Sequence, residues 1–273
     1  MKIGIIGYGS MGKMLLWKFA ESGITKDNLL ISNRTQQKLE EARDIATICS
    51  NTEASRRSDI LFICVRPTDF KEVLQEVNGN LSDDALLVTL NGSISFDLIN
   101  RIVEHKTAKV IPSLTAQIDR SQTLVCYNGL VTNNDKQNLR DLLSVIGEVI
   151  ELPENEMGMG SELVSCMPGF IASMFDVVCN SAGKHTDIPQ DQVINMVLNT
   201  VSATADLLLK ENMSFEQTVS RVATKGGITE EGTKVIYERF PDVADELFEK
   251  TLEKRRVTAK KAEESYLPVV GEE

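Results

Sequence analysis

The chain has few residues suited to metal or disulfide chemistry. Its only histidines, His105 and His185, lie far apart and offer no metal-ligand spacing. Its five cysteines, Cys49, Cys64, Cys126, Cys166 and Cys179, are odd in number, scattered and without a C-x-x-C pair. They read as small buried thiols in a reducing compartment. Positive charge is also short: 29 Lys and Arg face 40 Asp and Glu, a net charge of −11. That balance excludes a nucleic-acid or anionic-membrane partner, although local charge can still receive an anionic cofactor. There is no signal-peptide pattern, no run of 18 apolar residues, no repeat and no low-complexity segment. The expectation is a cytoplasmic protein without a membrane partner.

What is present begins at the first residue. Lys2 to Ile6 reads as a buried strand, followed by glycines 7, 9 and 12 in G-x-G-x-x-G spacing and an apolar helical pattern from Met11. A strand, this turn and a helix in succession form the dinucleotide-binding fingerprint. Gly7 permits the tight turn, Gly9 lets the backbone approach a pyrophosphate, and Gly12 lets helix and strand pack closely. The helix N-terminus then presents free N–H groups to the anion. The expected cofactor contacts here are Ile6, Gly7, Tyr8, Gly9, Ser10, Met11 and Gly12. Trp17, on the following helix, reads as core.

A carboxylate about 20 residues beyond the turn would select NAD by binding the ribose 2′-hydroxyl. None occurs between Asp27 and Glu40. The second strand, Asn28 to Ser32, runs instead into Asn33, Arg34 and Thr35. A guanidinium with neighbouring hydroxyls suits a 2′-phosphate, so NADP is expected over NAD.

At 273 residues and 42% apolar composition, the chain is long enough for two domains with sizeable cores. The first half alternates strand and helix. A helix over 36–45 follows the second strand. Asp59 to Val65 is a continuous apolar strand, and Asp69 to Val77 a helix. A strand over 85–90, a helix over 95–103, short strands at 109–111 and 123–127, a helix over 135–145 and a strand over 148–152 complete the half. This alternation predicts a Rossmann-type, doubly wound parallel sheet with helices on both faces. From about residue 156 strand signals cease. Residues 157–179 and 189–210 read as long helices, the second apolar over most of its circumference. Such a helix is buried in a bundle or a dimer interface. The stretch from Pro241 reads as a charged helix with a polar tail. Pro153 and the polar run 154–156 divide a dinucleotide-binding domain, 1–155, from an all-α domain, 156–273.

Together with these features, the run RVATKGGITEEG at 221–232 resembles the pyrroline-5-carboxylate reductase family over nearly the whole chain. Asn51 matches that family's Asn before the third parallel strand. Cys64, Val65, Arg66 and Pro67 match its Ala-Val-Lys-Pro strand end. Residues 109–115 (KVIPSLT) match its Arg-x-Met-Pro-Asn-Thr-Pro segment, and 165–170 (SCMPGF) its Gly-Ser-Gly-Pro-Ala-Tyr segment. Residues 224–229 (TKGGIT) match its Ser-Pro-Gly-Gly-x-Thr substrate turn. KVIPSLT, ELVSC and TKGGIT are closer still to the ComER-type late competence proteins, a divergent branch. The chain departs from the main pattern at Met167, Lys225, Ser113 and Leu114.

The resemblance implies NAD(P)H-dependent reduction of the cyclic imine 1-pyrroline-5-carboxylate to proline by a homodimer, and allows a larger ring of dimers. It adds Asn51, Cys64, Val65, Arg66, Pro67, Leu90, Asn91 and Gly92 to the cofactor set. It places Thr229 beside the substrate nitrogen, with Thr224 keeping the hydroxyl of the family's serine. The substrate turn then comprises Gly226, Gly227, Ile228 and Lys225. A Gly-Gly turn that opens a helix offers N–H groups to a carboxylate. Two alternatives stay open at this level. One is a same-fold reductase of another imine or carbonyl compound. The other is a cofactor-binding regulatory protein related to competence, with little turnover.

Overall fold

The structure, a computed structural model, describes residues 1–266. Met1–Cys166, joined by the segment from Leu252 onward, forms one compact unit, and Met167–Thr251 forms a second. The expected polar C-terminal tail lies outside the described residues.

The first unit is built on an eight-stranded sheet of order β3-β2-β1-β4-β5-β6-β7-β8. Its strands are β1 Ile3–Ile6, β2 Leu29–Ser32, β3 Thr47–Ile48, β4 Ile60–Ile63, β5 Leu86–Thr89, β6 Thr107–Ile111, β7 Ser121–Tyr127 and β8 Gly147–Glu151. β1, β2, β4 and β5 are buried along their whole length. Their unbroken apolar runs therefore serve two faces rather than one. Helices α1 Ser10–Glu21, α2 Asn51–Arg57, α3 Pro67–Val77, α4 Phe96–Asn100 and α5 Asn133–Leu143 connect them. Two apolar clusters form the core, one around Leu15, Phe19, Phe62 and Leu139, the other around Leu61, Phe70, Leu74 and Ile99.

The sheet departs from the all-parallel expectation at one edge. β7 pairs antiparallel to β6, and β8 then runs parallel to β7. The β6–β7 link, residues 112–120, holds only a 3-10 turn, Leu114–Ile118. A link this short cannot carry a strand back to the same end of the sheet, so the pairing is antiparallel. The expected helix over 36–45 is a 3-10 segment, Gln36–Ala42. Its two buried residues, Leu39 and Ala42, are three apart, the period of a 3-10 turn. The two-residue β3 was not foreseen, because it has no room for an apolar alternation.

Two ion pairs in this unit each have one buried member. Lys109 on β6 is 2% exposed and holds Glu154, lying 4.6 Å over the Phe96 ring. Arg255 donates through Nε (3.1 Å) and Nη2 (2.8 Å) to Oε1 of the buried Glu162, and to Ser161 Oγ. Removing Glu154 or Arg255 costs about 3–5 kcal/mol, because Lys109 or Glu162 is then left buried alone.

The long helix expected over 157–179 is interrupted. α6, Met157–Ser161, passes through one π turn, Glu162–Cys166, into α7, Met167–Ala182. Pro168 has no N–H for the Val164 carbonyl four residues earlier, and widening the turn accommodates that loss. In the second unit α7 is followed by α8 Gln190–Lys210, α9 Phe215–Val222 and the start of α10 Ile228–Tyr266. α10 runs straight through Pro241, where a new helix was expected to begin. Of the residues on α7 and α8, only Cys179 and Val193 are buried within the single chain. Ile194, Met196, Leu198, Val201 and Leu209 are exposed, so much of the apolar surface of α8 finds no cover inside its own chain.

Candidate active site

The carboxyl ends of β1, β2 and β4 converge on one cleft of about 680 Å³. It lies where the chain order reverses on either side of β1, the place at which open α/β sheets take their ligands. Eleven of the sequence-predicted cofactor residues line it: Ile6, Gly7, Tyr8, Gly9, Asn33, Arg34, Thr35, Asn51, Cys64, Val65 and Arg66. Ser10, Met11, Gly12, Pro67, Leu90, Asn91 and Gly92 do not line it. Asn91 reaches its edge through Nδ2, which donates to the Val65 carbonyl at 3.4 Å.

The glycine turn has the shape the pyrophosphate of a dinucleotide requires. Gly7 sits at φ +105°, and a Cβ there would lie 2.6 Å from the Cys64 carbonyl oxygen. A Cβ on Gly12 would lie 2.0 Å from the Gly7 carbonyl oxygen. Gly9 has open space where its Cβ would be. Gly9 also caps α1 without a side-chain hydrogen bond, and the first turn carries no acid. The first amides of α1 thus face no competing carboxylate of their own helix. These residues fit a dinucleotide.

The loop after β2 is held by its own side chains. The Gly7 amide donates to the Ser32 carbonyl at 2.8 Å, and the Tyr8 amide to Asn33 Oδ1 at 3.0 Å. Asn33 Nδ2 donates to the Thr35 carbonyl at 2.9 Å. Trp17, half-buried rather than core, donates from Nε1 to the Tyr8 hydroxyl at 3.0 Å. Burial raises the Tyr8 phenol, so it stays protonated at neutral pH. Burial likewise pushes the Cys64 thiol up to about 12, which rules out a thiolate nucleophile at neutral pH.

Sequence reasoning missed the acidic wall of this cleft. Asp69, Glu72 and Glu76 on α3 all line it. Asp69 Oδ2 accepts from Arg66 Nε at 3.1 Å, and its Oδ1 lies 3.9 Å from Arg34 Nη1. Ser32 Oγ donates to Asn51 Oδ1 at 2.6 Å, and Asn51 Nδ2 donates to Glu76 Oε2 at 2.6 Å. The signal was present in the spacing: residues 69, 72 and 76 fall at i, i+3 and i+7 of one helix face.

The predicted substrate turn belongs to the second unit and is exposed, apart from the half-buried Gly227. Gly226 takes φ +74°, and the Gly227 amide donates to the Thr224 carbonyl at 2.8 Å. α10 begins at Ile228, so Thr229 stands in its first turn as expected. One feature was unforeseen. The Gly226 amide donates to Oε2 of Glu230 at 2.5 Å, so a side chain of this helix occupies one amide suited to a ligand carboxylate.

Comparison with known proteins places this geometry. Residues 2–93 match the family described as NADP oxidoreductase, coenzyme F420-dependent, and residues 154–258 match pyrroline-5-carboxylate reductase dimerisation. Pyrroline-5-carboxylate reductase 3 of Bacillus subtilis is 33% identical over 260 residues, 93% of this chain and 95% of that protein. The chain belongs to the pyrroline-5-carboxylate reductase family. It is thus a member of an NADP-dependent oxidoreductase family that acts on C=N bonds. ComE operon protein 4 of the same organism is 26% identical, over 92% of this chain and 94% of its own length. The NADP-bound pyrroline carboxylate reductase of Plasmodium falciparum shares the fold at TM-score 0.83 and 22% identity, covering 96% of this chain and 98% of that one.

Membership of the pyrroline-5-carboxylate reductase family also accounts for the uncovered helices. Residues 154–182 and 190–210 are long and apolar enough to cross a membrane by length and composition, although polar residues interrupt both. Both lie within the match to the dimerisation domain, which supports a homodimer.

Proposed function

We propose that this protein reduces 1-pyrroline-5-carboxylate to proline with NADPH, as a cytoplasmic homodimer. The observation that carries the reading is the 33% identity to a pyrroline-5-carboxylate reductase across both halves of the chain. NADPH supplies the hydride that adds to the imine carbon. The amides of Gly9 and the first turn of α1 bind its pyrophosphate. Arg34, with Thr35, holds the 2′-phosphate; no carboxylate extends from the end of β2 to oppose it. The amides of Gly226 and Gly227 hold the ring carboxylate once Glu230 gives way. Thr229 hydrogen-bonds the ring nitrogen as it becomes an amine, and Thr224 and Ile228 shape the turn around it. An imine of this type can already be protonated near neutral pH, so no strong acid is needed. Larger rings of dimers are compatible with this reading.

A second reading, reduction of a different imine, is favoured by one observation. Glu230 holds the Gly226 amide, and Lys225 replaces the family's proline beside it. A substrate without a carboxylate would leave that contact intact.

The deciding experiment is steady-state NADPH oxidation with 1-pyrroline-5-carboxylate by the wild-type dimer. Turnover is expected. NADPH binding without turnover overturns the substrate assignment in favour of the second reading. Thr229→Ala should lower kcat roughly 5- to 30-fold, the value of a neutral hydrogen bond of about 1–2 kcal/mol, with cofactor affinity unchanged. Thr229→Ser should keep most activity. A loss confined to KM would show that Thr229 binds substrate without assisting the transfer.

Arg34→Ala should weaken NADPH by about 1.5–3 kcal/mol, the scale of a charged hydrogen bond, and leave NADH nearly unchanged. Equal losses for the two cofactors, measured by titration calorimetry, would show that Arg34 does not read the phosphate.

A further inference from the structure

The cleft that receives the dinucleotide carries a negative charge where a 2′-phosphate is expected to arrive. Asp69 stands in the first turn of α3, at the third helical position after Arg66 and Pro67. Its backbone amide donates to the Arg66 carbonyl at 3.0 Å, which closes the turn. The two carboxylate oxygens then serve two different guanidiniums. Oδ2 accepts from Arg66 Nε at 3.1 Å, and Oδ1 lies 3.9 Å from Arg34 Nη1. Asp69 is 28% exposed, whereas the side chains of Arg34 and Arg66 are 80% and 72% exposed. The anion is therefore the most enclosed member of the trio, and the two cations face solvent. Arg34 comes from the loop after β2 and Arg66 from the end of β4, so Asp69 is the group that draws the two loops together.

We infer that Asp69 sets the cofactor specificity of this enzyme by competing with the 2′-phosphate for Arg34 and Arg66. The inference rests on the reading of Arg34 given above and extends it. A 2′-phosphate reaching Arg34 must draw the guanidinium off a carboxylate already in place, and must then sit near that carboxylate. Both effects oppose the phosphorylated cofactor and leave the unphosphorylated one untouched. The discrimination is thus smaller than two arginines alone would give, and Asp69 limits it. Glu72 and Glu76 line the same wall and add to the negative field, but Glu76 is engaged with Asn51. Only Asp69 touches the arginines through an ion pair in the described cleft.

The test uses nucleotide fragments, so it does not depend on turnover. Adenosine 2′,5′-bisphosphate and 5′-AMP are titrated by calorimetry into wild type, Asp69→Asn, Asp69→Ser, Arg34→Ala and Arg34→Ala combined with Asp69→Asn. Asp69→Asn and Asp69→Ser should each bind the bisphosphate about three- to tenfold more tightly, the range for releasing a partly exposed ion pair and a like-charge contact, with 5′-AMP unchanged. Most of that gain should vanish in the Arg34→Ala background. A bisphosphate affinity that stays level or falls in both Asp69 variants overturns the proposal, as does an equal change for both nucleotides. Those outcomes would make Asp69 a first-turn acid that favours the N-terminus of α3 and no more. A wild type that binds the two nucleotides equally, with Arg34→Ala changing neither, removes the 2′-phosphate reading itself, and the proposal falls with it.

Discussion

Gly12→Ala should abolish cofactor binding at accessible concentrations. The added Cβ would lie 2.0 Å from the Gly7 carbonyl oxygen, and the obstructing atom is backbone rather than a flexible side-chain tip. α1 must move off β1 to admit it, so the amides of its first turn leave the pyrophosphate. Losing two charged hydrogen bonds of about 1.5–3 kcal/mol each weakens binding by at least roughly a hundredfold. NADPH and NADH should suffer alike, because both carry the pyrophosphate. Overpacking should also cost about 1–3 kcal/mol of stability, visible as a Tm lower by several degrees. Gly9→Ala is the informative control, since its Cβ meets nothing within 4 Å. That variant should keep the wild-type Tm and lose cofactor affinity only. Undiminished binding by Gly12→Ala would show that the turn is not the pyrophosphate seat.

The second large effect concerns assembly. Ile194, Leu198 and Val201 fall at i, i+4 and i+7 of α8 and are all exposed in the single chain. The match to a dimerisation domain supplies the reason. Replacing Leu198 and Val201 by Glu removes two apolar side chains per protomer, four per dimer. At about 1.5–3 kcal/mol for each buried side chain, the interface loses roughly 6–12 kcal/mol before the cost of burying charge is added. Light scattering at micromolar concentration should then fall from twice the 30.2 kDa chain mass to that mass. NADPH affinity should survive, since the cofactor cleft is lined by residues of the first unit alone. A wild type already at 30.2 kDa would refute the dimer, and a double variant still dimeric would move the interface to another face.

Local sequence determined a great deal here. The strand, glycine turn and helix of residues 2–21 are specified by short-range rules, because φ above zero at Gly7 and a missing Cβ at Gly12 admit few other residues. Arg34 was legible because its position is counted along the chain from that turn. The apolar excess of α8 was legible too, since a helix with more apolar surface than one stripe must find cover. What lay outside the sequence depends on approach between distant segments. Asp69 was visible as a helix residue, but its place between Arg34 and Arg66 exists only once the ends of β2 and β4 lie on one edge of the sheet. The Ser32–Asn51–Glu76 chain and the Lys109–Glu154 and Arg255–Glu162 pairs have the same origin. The reversal at β7 was decided by the length of a loop, and the π turn by one missing N–H at Pro168. Periodicity reports which face of an element is apolar; which charges meet across a cleft is a property of the folded chain alone.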